Sequence, residues 1–205
     1  NLFFYTTLFI SCLLSTDINK LNQKIDLIQF EISNLKFNND YNSINDLIEK
    51  CNKGNYLLGE SLLLDSKIDI AISLDEEYLI DKWWEGYAIK RNDAIKYGMT
   101  EQELYYSLLL LQIKIEMEGF DFHRQNIEEL YQKSIANNHY SSQIIILMWM
   151  LKNSNKEEYN SIDNKIAIFF ESHKKMKNTF EYILYQSNKG SHILAKSRDE
   201  GLVDL

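Results

Sequence analysis

No proline occurs in the 205 residues, where ordinary usage of about 5% would give roughly ten. Such a chain has no obligatory helix breaks, so its corners fall to glycine, asparagine and short polar runs. That suits long helices joined by tight turns, although a genome poor in proline codons would leave the same depletion. The seven glycines stand singly, and Gly54 and Gly190 hold the same place in one recurring phrase: NKGNYLLG at 52–59 and NKGSHILA at 188–195. Each reads as a helix end whose glycine takes the left-handed corner without a Cβ clash, followed by a second helix opening on small and apolar residues.

The hydrophobic fraction of 45% and charged fraction of 25% belong to an ordinary soluble globular chain, long enough for one sizeable core or a short repeat array. Net charge is −8. No run of five Lys and Arg exists, so the electrostatic footprint of a nucleic-acid binder is missing. HKKMK at 173–177, the densest positive run, reads as a solvated helix end. The overall charge is consistent with an acidic groove and a basic partner.

Leu2 to Leu14 is an apolar stretch of signal-peptide length, too short to span a membrane. Within it, Leu8-Phe9-Ile10-Ser11-Cys12 resembles a bacterial lipobox, with Phe9 where Leu is usual. The resemblance implies that the Cys12 thiol takes a lipid. Residues 1–15 are then a signal or anchor segment, and the protein is exported, periplasmic or membrane-attached. The alternative is a buried first helix in a cytoplasmic protein. Cys51 is the other cysteine, and two cysteines in unrelated contexts make neither a disulfide framework nor a zinc site.

Leu14, Ile18, Leu21, Ile25, Ile28, Ile32 and Leu35 alternate steps of four and three, an a/d seam on an amphipathic helix over 16–37. It packs either on the helices that follow or on further copies of the chain, making residues 14–35 a candidate oligomer seam. FNNDYNS at 37–43 reads as a linker. Ser43 with Asp46 resembles a capping box opening the next helix. Gly59, in the second helix of that pair, is small enough to let a neighbouring helix approach closely.

Residues 130–150, LYQKSIANNHYSSQIIILMWM, resemble a bacterial Sel1-like repeat, a relative of the tetratricopeptide repeat. Leu130-Tyr131 match its aromatic pair, Ser134-Ile135 its small pair and Ser142 its small second-helix residue. Asn138 stands for the turn glycine, a substitution Asn tolerates best. Ile146-Leu147 stand for a Leu-Gly pair, and Gly119 resembles the loop glycine between repeats. With corners at Gly54, Gly98, Asn138 and Gly190, the spacings are 44, 40 and 52 residues. The resemblance implies an all-α fold: a right-handed α-solenoid of antiparallel helix pairs over 40–205, preceded by the amphipathic helix. A generic helical bundle is the rival.

No chemistry stands out. His123, His139, His173 and His192 lack metal-ligand spacing to one another or to Cys. Asp75-Glu76-Glu77 precedes an apolar helix, where carboxylates complement the macrodipole. Phosphate loops and nucleophile elbows are missing, so the expectation is a non-enzymatic chain without cofactor or metal. What remains is recognition of another protein or peptide, as the resemblance also implies. Trp83 and Trp84 point about 100° apart on a helix, so one can face a groove. Tyr105, Tyr106 and Tyr140 are further partner-binding candidates, whereas Tyr131 and Trp149 read as core. Structural oligomerisation, or a small-ligand pocket between helices, are the competing functions.

Overall fold

The computed structural model describes residues 20–25, 27 and 41–199, and every regular element among them is helical. The lipobox-like segment with Cys12, and most of the heptad seam, lie outside the described residues. The chain divides into two compact units, residues 1–133 and 134–205.

The first unit contains α1 (Tyr41–Lys53), α2 (Leu57–Ser73), α3 (Tyr78–Lys96), α4 (Thr100–Glu118) and most of α5 (Arg124–Ala136). α1 pairs with α2, α3 pairs with α4, and α2 also packs on α4. α2 is buried nearly all round, through Leu57, Leu58, Leu63, Leu64, Ile68 and Ala71. A helix apolar on every face belongs inside, and each fully buried Leu contributes about 2 kcal/mol. α3 is the opposite case. It buries only Ile80, Tyr87 and Ala94, a single stripe at seven-residue steps, and its remaining faces are wet. Residues 20–25 are helical, and Ile25 is fully buried within the chain. Leu21, the other described seam position, is half-buried. The heptad positions from Ile28 onward are not described.

In the second unit the end of α5 leads into α6 (Tyr140–Lys152), then α7 (Lys156–Ser172) and α8 (Phe180–Asp199). α6 is its central helix, with Ile144, Ile145, Ile146, Leu147, Met148 and Leu151 buried. α7 contributes Ile166, Phe169 and Phe170. Phe170 meets Tyr185 of α8 at 5.7 Å, and the Tyr185 hydroxyl donates to Asp163 at 2.6 Å. α7 opens with a capping box: Asn155 Oδ1 accepts from the backbone N–H groups of Glu157 and Glu158, and the Glu158 carboxylate returns to the Asn155 N–H.

Four corners share one construction. Asn55, Asp75, Gly98 and Asn138 all have φ between 51° and 65°. At each, the following N–H reaches back five residues: Tyr56 to the Cys51 carbonyl, Glu76 to Ala71, Met99 to Ala94 and His139 to Ser134, all at 2.8–2.9 Å. These bonds satisfy carbonyls that a helix end leaves without intrahelical partners. Gly98 and Asn138 thus hold the predicted corner positions, and Gly119 adds a fifth bend at φ 93°.

Three local expectations need correction. At the first corner the left-handed residue is Asn55, not Gly54, because α1 runs to Lys53 and Gly54 still donates its N–H to Lys50. Gly190 makes no corner: it stands inside α8, where glycine costs about 1 kcal/mol relative to alanine but does not break a helix. Ser43 does not cap α1, which already begins at Tyr41, within the segment that reads as linker.

Candidate functional site

Behind the first corner lies a buried polar cluster. Glu60 is 0% exposed. Its carboxylate accepts hydrogen bonds from Tyr87 of α3 at 2.8 Å, Tyr105 of α4 at 2.5 Å and Asn52 of α1 at 3.3 Å. A buried carboxylate is tolerated only when so partnered. Burial, reinforced by the Glu60 charge, pushes both phenols well above their ordinary range. The same causes lift the buried Cys51 thiol to about 12. Gly59 permits the approach: a Cβ there would lie 2.5 Å from the Tyr56 ring and 2.9 Å from Cys51 Sγ. Glu60 therefore ties α1, α3 and α4 to α2, and with no exposed surface it offers nothing to a ligand.

An open groove of about 300 Å³ lies elsewhere in the same unit, between α3, α4 and α5. α4 lines it with Ser107, Leu110, Leu111 and Lys114, and α5 with Asn126, Glu129, Leu130 and Lys133. Both sets follow the i, i+3, i+4, i+7 spacing of one helix face. α3 adds Trp84 and Arg91, seven residues apart and so about 10 Å along the same face. Leu110, Leu111 and Leu130, nearly buried, form an apolar floor, with Trp84 at the rim, 39% exposed.

Polar side chains surround that floor. Arg91 Nε–H donates to Ser107 Oγ at 2.9 Å, leaving its terminal guanidinium N–H groups as donors. Lys133 pairs with Glu103, and Glu129 accepts from Gln125 at 2.9 Å. Three cations and one carboxylate line the groove. The net charge of −8 is therefore not mirrored in the lining of this groove.

The aromatic candidates are not gathered into one site. Trp84 and Trp83 diverge as their adjacency on a helix requires. Trp83 lies 5.9 Å from Tyr41 with the ring planes tilted by 59°, and sits under the Lys67 ammonium, 4.0 Å from the ring centre. Tyr105, 4% exposed and bonded to Glu60, is interior rather than partner-facing. Tyr106 is half-buried beside it, 3.4 Å from Asn52 Nδ2. Tyr140 belongs to the second unit, where its ring lies 4.3 Å from that of His173, tilted by 49°, at a concavity also lined by Lys174 and Lys175. His173 Nδ1–H donates to the Phe169 carbonyl at 2.8 Å. Tyr131 and Trp149, read as core, are half-buried.

Arg91, Lys114 and Lys133 were not singled out by sequence reasoning. Each is an ordinary surface cation in its own helix, and only the packing of three helices brings them to one groove. Glu60 had a visible signal: a lone carboxylate inside the apolar run LLGESLLL. Among the described residues no three His, Cys, Asp or Glu side chains are grouped to hold a metal ion, and no helix is long and apolar enough to cross a membrane. No family model matches the chain, nor does any curated protein or solved structure.

Proposed function

We propose that this chain is a non-enzymatic helical-repeat adaptor that holds a peptide segment of another protein in the groove between α3, α4 and α5. The observation that carries this reading is Trp84, exposed at the rim of a leucine floor and ringed by hydrogen-bonding side chains. An aromatic anchor beside apolar surface with a polar rim is how protein interfaces concentrate binding energy. The helix-pair packing and repeated left-handed corners support a solenoid scaffold, and the resemblance of 130–150 supports the Sel1-like form of it. The lipobox-like sequence around Cys12 supports a place in the bacterial envelope, with the N-terminus as the attachment.

The test is site-specific photo-crosslinking in the native cell, with a photoreactive phenylalanine analogue replacing Trp84 and, as control, the exposed Ile183 of α8. The expected result is a discrete heterologous adduct at position 84 that is missing at 183. An adduct with a second copy of the chain would favour the oligomer reading instead. Equal labelling at both positions, or none, would sink the adaptor reading.

A further inference from the structure

Resting on that peptide-binding reading, we propose that the segment taken by the groove is acidic: Asp or Glu side chains flanking an apolar residue. Three observations lead there. Arg91, Lys114 and Lys133 reach the groove from three different helices, against Glu129 alone among the acidic lining residues. Their convergence stands out in a chain of net charge −8: a basic partner drawn to the rest of the surface would meet repulsion here, and an acidic segment would meet its complement.

The cations also differ in how committed they are. Lys133 is paired to Glu103, so it contributes little net field. Lys114 is exposed and makes no ion pair among the described residues. Arg91 is fixed to Ser107 through Nε alone, which orients the planar fork and leaves its outer edge suited to a carboxylate. Between these charges the floor of Leu110, Leu111 and Leu130, with the Trp84 ring at its edge, takes an apolar side chain. Alternating carboxylate and apolar groups is the pattern such a surface selects.

The test is selection of a random dodecapeptide phage library on the full-length chain, with parallel selections on Trp84→Ala and on the Arg91→Glu/Lys114→Glu double variant. Each protein is first checked for unchanged helical circular dichroism. The proposal expects peptides that depend on Trp84, are enriched in Asp and Glu around an apolar residue, and bind the double variant at least tenfold more weakly. Trp84-dependent peptides that are neutral or basic would overturn the acidic assignment while leaving the peptide-binding groove standing. Failure to select any Trp84-dependent peptide would overturn both.

Discussion

Glu60 and Lys67 show what single residues can cost and contribute in this core. Both lie on α2, the helix buried on nearly every face, and both are nearly sealed from solvent. Glu60 is compensated by three donors, whereas Lys67 has Asn45 Oδ1 at 2.8 Å and the face of Trp83. Burial lowers the Lys67 ammonium to about 8, from an ordinary value of 10.5, with the Glu60 charge opposing the shift. Because its folded value is depressed, Lys67 favours the folded state fully only above pH 10.5. That contribution fades as pH falls and is gone below about 8. At roughly 1.4 kcal/mol per unit, the shift corresponds to about 3 kcal/mol. Urea unfolding of wild type and Lys67→Met should therefore diverge in favour of wild type by about that amount between pH 8 and 10.5. A pH-independent difference would mean that Lys67 is solvated.

At the scale of elements, the same substitution should act with opposite sign at two glycines of one hairpin. Gly86 lies in the exposed face of α3 with open space around its α-carbon, so Gly86→Ala should stabilise by about 1 kcal/mol through helix propensity. Gly98 also has open space, but its φ is 65°, where an L-residue is strained by about 1–2 kcal/mol. Gly98→Ala should lower stability by about 1 kcal/mol, and thermal unfolding of the two variants beside wild type checks both. Equal shifts would show that conformation does not decide the outcome. This is also where the sequence was most legible. Gly98 and Asn138 could be located because left-handed corners select Gly and Asn by steric exclusion. Asp75 could not be read as a corner, since its acidic neighbours already account for it as a helix start. Asn155 and Glu158 form a capping box in full view at 155–158.

Over the whole molecule, burial acts in one direction on acids whose neutral form the fold prefers. Cys51, Tyr41 and Tyr185 are each raised to about 12, by burial first, and Tyr87 and Tyr105 are raised as well. The unfolded chain ionises such groups from about pH 9 for thiols and 10 for phenols, while the folded chain keeps them protonated. Their stabilisation is complete below those values and is lost as pH rises beyond them. Lys67 acts in the opposite sense up to pH 10.5. The net expectation is a steep fall in unfolding midpoint above pH 10, measured by circular dichroism; an alkaline plateau would contradict the burial of these groups. The helical class and the pairing of helices were legible because periodicity is carried locally. The groove was not, because its lining is assembled from three helices and its charge opposes that of the whole chain. Asn-Lys-Gly ends a helix at 52–54 and lies inside one at 188–190; after the first come Asn55 and Tyr56, after the second Ser191 and His192. A three-letter word here has no fixed meaning, and repeat detection in proline-free chains gains by scoring the pair that follows the glycine rather than the glycine itself.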